Sequence, residues 1–543
     1  MKLRKNAAQG LVLTSTSNPT KFPKDQIDFE NDACRVVLEG YVLNHQALLN
    51  KHPGLCLQEI LLEAYQTGDI AAALNLLRGS FLLAIHDKQA NTAYIANDML
   101  SKKPLFYLQS GEDVLVDGSF LNLVADAKAA GLPLTIDPVG VSEMIQRCSF
   151  LSGDTYVQEI RFLERFQYLR ISPEGVSVES YAYQPAFPCP DGEDELIDQI
   201  DILFTEACVM AVQKNQQQGY RQVFTLSAGM DSRCAFLKSL PFCQEEATKP
   251  LCLCYGAKGC MELKIADQLA KGRNCELLTH EIDPVGFIRN REAILDRNEG
   301  MMYYAGTTGL TQILRKVDTD RCGLVITGLG GGEIMGDLGQ FGEDKELYHQ
   351  LFAPLISDEA ALRQRLDELA PIPYNEYVCY QDIRTCNNFS YTTRLDFETF
   401  SPFLYEDLFQ LLLKAPQENK SFRRLYAKWY LKYIGDPTPT SCFQGRVEVT
   451  RRTAPKQLVK GVLRRLRRLL RIQDKWNMNP MEIWVNGIPE NRSYIEETLQ
   501  ADLAVIGVHL PKLAEQLRQQ YDAADGDTKL RVLTVSGMVK RIL

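Results

Sequence analysis

The chain has no run of 18 or more apolar residues among its 543, so no segment is expected to cross a bilayer as a helix. It has no basic excess either. Lysine and arginine number 60 against 69 aspartates and glutamates, a net charge of −9 that argues against general nucleic-acid binding while leaving room for a local basic patch. Histidines are only six and form no H-E-x-x-H pattern, so a zinc enzyme finds no support. C-x-x-C pairs are missing too, although cysteines number fifteen. The two nearest one another, Cys252 and Cys254, stand in the apolar stretch L-C-L-C-Y, where strand residues alternate between faces. They read as small, buried, reduced hydrophobes rather than a metal or redox centre. An odd number of such thiols suits a reducing compartment, and a cytoplasmic location is expected. The basic start M-K-L-R-K leads into no apolar h-region, so a signal peptide is not expected.

What is present is ordinary globular composition, 45% hydrophobic and 24% charged, at a length that calls for two or three domains. Residues 1 to about 185 read as short strands broken by turns. They include a helical stretch, L-Q-E-I-L-L-E-A-Y-Q at 57–66, and a hairpin from F-L-L-A-I-H-D at 81–87 to A-Y-I-A-N-D at 93–98. The proline- and acid-rich stretch at 184–195 reads as a linker. Beyond it the elements alternate: helix 196–213, strand 222–226, helix 231–239, strand 250–255, helix 261–271, strand 276–282 and, after more helix, strand 323–327. Strands separated by helices imply a parallel sheet of crossover units. From about 340 onward the pattern is mainly helical. Two domains are expected, 1–185 and 196–543.

Within the second, V-F-T-L-S-A-G-M-D-S-R at 223–233 is an apolar strand that stops abruptly in small and acidic residues. A continuous apolar run suits a central strand covered on both faces, and the ligand crevice of such a sheet lies at the strands' carboxyl ends. Small residues let backbone N–H groups approach an oxyanion, and the following helix start adds a partial positive charge. Ser227 and Ser232 can supply hydroxyl donors. A bare phosphate would repel Asp231, which makes sense instead as a magnesium ligand bridging to one. The arrangement reads as a pyrophosphate cradle.

The stretch S-A-G-M-D-S resembles the S-G-G-x-D-S loop of the ATP pyrophosphatase superfamily, with Ala228 in place of one glycine, and the neighbouring Leu226 and Arg233 resemble the loop of asparagine-synthetase-like proteins. L-C-L-C-Y-G at 251–256, with Glu262 and Ala266 after it, resembles that family's second strand and helix, whose backbone lines the adenine pocket. V-I-T-G-L-G-G-G-E-I-M-G-D at 325–337 resembles its S-G-E-G-x-D-E-L-F-G-G segment, and R-L-D-F-E-T-F-S-P-F-L-Y-E-D-L-F-Q-L-L-L-K-A-P at 394–416 its E-x-R-x-P-F-L-D-x-x-L block. In the first part, L-E-G-Y-V-L-N-H-Q-A-L at 38–48, L-R-G-S-F-L-L-A-I-H-D at 77–87 and N-D-M-L-S-K-K-P-L-F-Y at 97–107 resemble class II glutamine amidotransferases. The resemblance implies an N-terminal Ntn-type αββα sandwich and a parallel-sheet, adenine nucleotide α-hydrolase-like domain with a helical C-terminal part. It implies ATP and Mg²⁺ as cofactors. Leu226, Ser227, Gly229, Ser232, Tyr255, Thr327 and Gly328 would hold the nucleotide, and Asp231 with Glu333 the metal.

The sequence also departs from that family. Glutaminase chemistry needs a nucleophilic cysteine that becomes the free N-terminus and uses its own α-amine as base. Here Lys2 stands at that place, and the first cysteine is Cys34. Glu39 replaces the asparagine expected to stabilise the oxyanion, and its negative charge would oppose one. The glutamine-binding aspartate falls at Leu57. These losses together read as a scaffold unable to hydrolyse glutamine. In the synthetase part, the second magnesium aspartate aligns with Gly332 and an earlier acid with Leu329. Glu333, one position on, is the substitute ligand or else an acid favoured at a helix start.

The stretch T-R-R-T-A-P-K-Q-L-V-K-G-V-L-R-R-L-R-R-L-L-R at 450–471 spaces arginines around leucines at helical intervals. It reads as a solvated helix face, or as a surface for an anionic substrate, lipid or polymer. Lys456 within it is a candidate for stabilising charge on the transferring acyl-phosphate. The functional expectation is an AMP-forming amide ligase that activates a small-molecule or peptide carboxylate and takes nitrogen from ammonia or an amine, with no nucleic acid partner and a homodimer as one assembly. A relative that binds nucleotide or a partner protein without turnover is the alternative.

Overall fold

The computed structural model describes the chain apart from residues 7–9, 16–20, 151–152, 185–186, 244–247, 338–373, 421–422, 436–474 and 476. Eleven strands up to residue 180 form two antiparallel sheets. They are β1 (Lys2–Asn6), β2 (Gly10–Thr14), β3 (Ile27–Glu30), β4 (Cys34–Val42), β5 (Gly79–Asp87), β6 (Thr92–Asn97), β7 (Phe106–Ser110), β8 (Asp113–Asp117), β9 (Ile160–Phe162), β10 (Gln167–Ser172) and β11 (Gly175–Ser180). One sheet runs β2-β1-β8-β7-β9 and the other β11-β10-β6-β5-β4-β3.

Strand alternation sorts their apolar residues into layers. In β4, Val37 joins Leu82, Ala84 and Ile95 in a core shared with Leu3, Val114 and Val116 of the facing sheet. Its neighbours Val36 and Leu38 point the other way, onto a helical layer with Leu57, Ile60 and Leu61 from the helix Leu57–Thr67. Phe106, Leu108 and Leu115 pack the second sheet against the helices Phe120–Ala129 and Pro138–Arg147. The result is the four-layer αββα sandwich, with the hairpin β5–β6 as read from the sequence.

The third sheet is parallel throughout, in the order β14-β13-β12-β15-β16: β12 (Arg221–Thr225), β13 (Leu251–Gly256), β14 (Glu276–Glu281), β15 (Cys322–Ile326) and β16 (Glu398–Phe400). The chain leaves β12 toward one edge, then returns to β15 on its other side. The crevice outside β12 and β15 is therefore the switch point where such sheets take ligands. Helices make up nearly all of the described C-terminal region. Two corrections follow. β16 was not foreseen, because three residues carry no periodicity. Cys252 and Cys254 lie two apart and so share one face, where both are buried in the same core; they remain free thiols.

Buried charges tie the sandwich to the parallel-sheet part. Asp25, fully buried, accepts from Lys214 Nζ at 2.7 Å, from the Val42 N–H at 2.8 Å and lies 2.6 Å from His45 Nδ1. Lys214 comes from the helix Glu193–Gln216; burial lowers its pKa, and Asp25 opposes that shift. Arg78 meets Asp407 at 2.9 Å and Lys102 meets Glu406 at 2.7 Å, so three stretches singled out in the sequence meet at this seam, 77–87 and 97–107 facing 394–416. Because Lys214→Ala strands Asp25 without its counter-charge, it is expected to cost ~3 kcal/mol in urea unfolding. A loss below 1 kcal/mol would show that water reaches the pair.

Candidate functional site

β12 ends at Thr225, but its ladder continues one step, with the Leu226 N–H donating to the Leu253 carbonyl at 2.9 Å. The chain then turns through 227–229 into the helix Met230–Ser239, whose Gly229 cap contributes no side-chain bond to the first-turn amides. Three sets of contacts brace this turn.

Within it, the Ser227 and Ser232 hydroxyls lie 2.8 Å apart. Ser232 Oγ accepts the Ser227 N–H at 3.1 Å, and Ser227 Oγ accepts the Gly229 N–H at 3.1 Å. Behind it, the buried Glu262 carboxylate, from the helix Met261–Ala270, accepts the Ala228 N–H, while Arg233 Nη2 donates to the Ala228 carbonyl at 3.1 Å. Burial pushes the Glu262 pKa up, and the Ala228 N–H and Arg233 charge oppose it. In front, the glycine-rich loop after β15 presses directly on the helix start. A Cβ on Gly328 would lie 2.2 Å from Ser232 N, and one on Gly331 would lie 2.7 Å from the Asp231 carboxylate. Glycine is therefore required there by contact rather than by backbone angle.

Asp231 accepts a 2.6 Å bond from the Tyr426 hydroxyl. Tyr426 is fully buried in the short helix Arg424–Trp429, and burial together with the Asp231 charge pushes its phenol pKa well up, which keeps it a donor. Neighbouring Tyr430 takes a 3.3 Å bond from Arg233 Nη1.

The residues expected to bind nucleotide thus gather at one place. Leu226, Ser227, Gly229, Asp231 and Ser232 surround the end of β12. Thr327 and Gly328 follow β15 beside it, the Thr327 N–H donating to Phe400 O at 2.8 Å. Tyr255 is the next-to-last residue of β13, its ring packed on Gly309. Glu333 is half-buried two residues past Gly331, in the turn Glu333–Asp337. Among the described residues no group of three His, Cys, Asp or Glu side chains is placed to hold a metal. Asp231 at the helix start and Glu333 after the glycine-rich loop are the two carboxylates the sequence marks for that role; one or two carboxylates plus phosphates and water satisfy Mg²⁺. Lys456 and the arginine-rich 450–471 lie outside the described residues.

Tyr426 was missed, and nothing in its helical surroundings marks it. Glu262 was noticed only as a match, and its role as acceptor for the turn becomes visible once its helix is placed.

On the sandwich side, Glu39 pairs with the Met1 amine at 2.5 Å and accepts from Ser15 Oγ at 3.3 Å, in the wall of a cavity of about 290 Å³. Leu57 is elsewhere, buried under the helical layer, so the fold does not bring it to Glu39.

Residues 24–182 match the family model of the glutamine amidotransferase domain, which makes this part of the chain amidotransferase-like. Among solved structures, the chain is similar to the glutamine phosphoribosylpyrophosphate (PRPP) amidotransferase from B. subtilis complexed with ADP and GMP, at 12% identity and a TM-score of 0.21 over 47% of this chain and 62% of that one. It is likewise similar to a structure described as the allosteric regulatory enzyme of purine biosynthesis, at 11% identity and a TM-score of 0.21 over 48% and 63%. The chain thus spans about three fifths of each. No curated protein matches it. No helix among the described residues is long and apolar enough to cross a membrane.

Glu262→Ala leaves the buried Ala228 amide without its acceptor, an expected cost of ~2 kcal/mol in chemical unfolding. Glu262→Gln, which keeps a carbonyl acceptor, is expected to cost less than half of that.

Proposed function

We propose that the chain is an ATP-dependent, AMP-forming amide-bond ligase that carries an amidotransferase-like region without glutaminase chemistry of its own. The reading rests on the turn at Ser227–Ser232, which places a helix start and two hydroxyls at the switch point of a parallel sheet, as a pyrophosphate cradle requires. A substrate carboxylate oxygen attacks the α-phosphorus of ATP; the bond to the β-phosphate oxygen breaks, and pyrophosphate leaves with the electron pair. The turn and the start of the Met230 helix stabilise the charge building on that leaving group. Asp231, with Glu333 as second carboxylate, would hold Mg²⁺, which would supply further neutralisation of the phosphate charge. An amine then attacks the acyl carbon, the bond to AMP breaks, and the amine's proton passes to water. The nitrogen comes from outside the amidotransferase-like region, since Glu39 occupies the position where an oxyanion would need a donor. Lys456 is assigned to charge on the acyl-phosphate, and 450–471 to contact with an anionic surface or substrate. The proposed setting is cytoplasmic, with domains 1–185 and 196–543 and a homodimer as the assembly.

A second reading, nucleotide or partner binding without turnover, is favoured by the contacts on Asp231: Tyr426 donates to its carboxylate and Gly331 packs against it. Pyrophosphate release separates the two. With ATP, Mg²⁺ and a panel of carboxylates, the ligase releases pyrophosphate, and Asp231→Asn lowers the rate on the order of 100-fold. Absence of release from every carboxylate, with ATP still bound, would establish the second reading.

A further inference from the structure

The cavity beside Glu39 runs along the seam between the sandwich and the parallel sheet. Its lining takes Glu39 and Asp117 from the sandwich and, from the parallel-sheet part, Thr327 and Leu329, which flank the glycine that presses on Ser232. It therefore joins the degenerate amidotransferase-like site to the proposed nucleotide crevice.

Its wall is ionic. Lys103 Nζ meets Glu398 at 2.7 Å, linking the sandwich to the start of β16. Arg394 Nη2 meets Glu299 at 2.9 Å, and the guanidinium carbon lies 3.6 Å from the centre of the Tyr391 ring. Glu299 also accepts from Ser119 Oγ at 2.9 Å and from the Leu121 N–H at 3.2 Å, and holds a left-handed backbone, φ 52°, that a glutamate rarely adopts. Positive and negative groups thus alternate along one wall, fixed by bonds from both parts of the molecule.

Such a wall suits poorly the passage of free ammonia. Met1, Lys102, Lys103 and Arg394 stand among the carboxylates of Glu39, Asp117, Glu299 and Glu398, so uncharged ammonia finds no charge-matched partner along it. At about 290 Å³ the space also exceeds what ammonia needs and approaches the ~300 Å³ at which small-molecule sites begin. The paired groups match a molecule with both charges: its carboxylate replaces Glu398 or Glu299 on Lys103 and Arg394, and its ammonium meets the carboxylates so released. Matched charge-assisted bonds of that kind are the strong ones in a partly buried site.

We infer that this cavity, which reaches Thr327, binds a small organic zwitterion, an amine that also carries a carboxylate, as the nitrogen nucleophile after its ammonium proton passes to one of the released carboxylates. Its role as nucleophile rests on the ligase reading; its binding of a zwitterion does not.

The test uses the full chain without ATP and the ω-amino acids from glycine to 6-aminohexanoate as probes, followed by saturation-transfer NMR and calorimetry. At least one probe is expected to bind, and the butylamine, butyrate and ammonium chloride controls to bind at least tenfold more weakly. Arg394→Gln is expected to weaken the best probe at least tenfold. Ser390→Phe, which fills the cavity and leaves both ion pairs intact, is expected to abolish binding at an unchanged melting temperature, so the test stands even if Arg394→Gln fails to fold. The inference is overturned if no probe binds, if butylamine or ammonium binds as tightly as the best probe, or if Ser390→Phe leaves binding unchanged. Failure of pyrophosphate release in the separate assay would remove the ligase reading and leave this outcome standing.

Discussion

The Ala228 N–H points away from the crevice and onto a buried carboxylate, and this constraint shapes the rest of the site. With Glu262 behind the turn and the Ser227–Ser232 pair inside it, the backbone at 227–229 needs no ligand to hold its form. What remains to face a ligand is the start of the Met230 helix, which no capping side chain occupies. A preformed turn of this kind spends little binding energy on ordering itself. The same closeness makes the crevice narrow, because Gly328 approaches the helix backbone, Gly331 lies against the Asp231 side chain, and Tyr426 holds Asp231 in place.

Charge pairs carry the other structural theme. Asp25–Lys214, Arg78–Asp407 and Lys102–Glu406 are all largely buried at one seam. Buried pairs add little net stability, since desolvation offsets their attraction, but breaking one is costly, so they specify how the two parts dock. That docking sets the cavity between Glu39 and Thr327, which neither part encloses alone. The region that matches the glutamine amidotransferase domain model is held against the parallel sheet in this way, and Lys2, Glu39 and Leu57 stand at the positions that the resemblance marks for that chemistry.

Much of the framework was legible in the sequence. The strand at 222–226, the helix at 261–271 and the hairpin at 81–98 follow from apolar periodicity and turn residues, and their ends shift by a residue or two. The Ser227 turn was legible because small residues beside an aspartate interrupt an otherwise buried strand. Other features carried no local signal. β16 is three residues long and is defined only by pairing with β15. Tyr426 lies nearly two hundred residues from Asp231 and reaches it only through the fold. The cavity takes its wall from segments scattered between Met1 and Leu404, each of which reads as ordinary surface charge by itself. The Cys252 and Cys254 thiols show the converse, where a two-residue spacing gives the same face and nothing chemical follows.

The most direct measurement is a crystal structure of the chain soaked with Mg²⁺ and an ATP analogue that resists cleavage between its α- and β-phosphates. The account predicts the phosphates at the start of the Met230 helix, the metal on Asp231, and Glu262 still bonded to the Ala228 N–H. Nucleotide bound elsewhere at saturating concentration, or a crevice that stays closed by Gly328 and Tyr426, would contradict it.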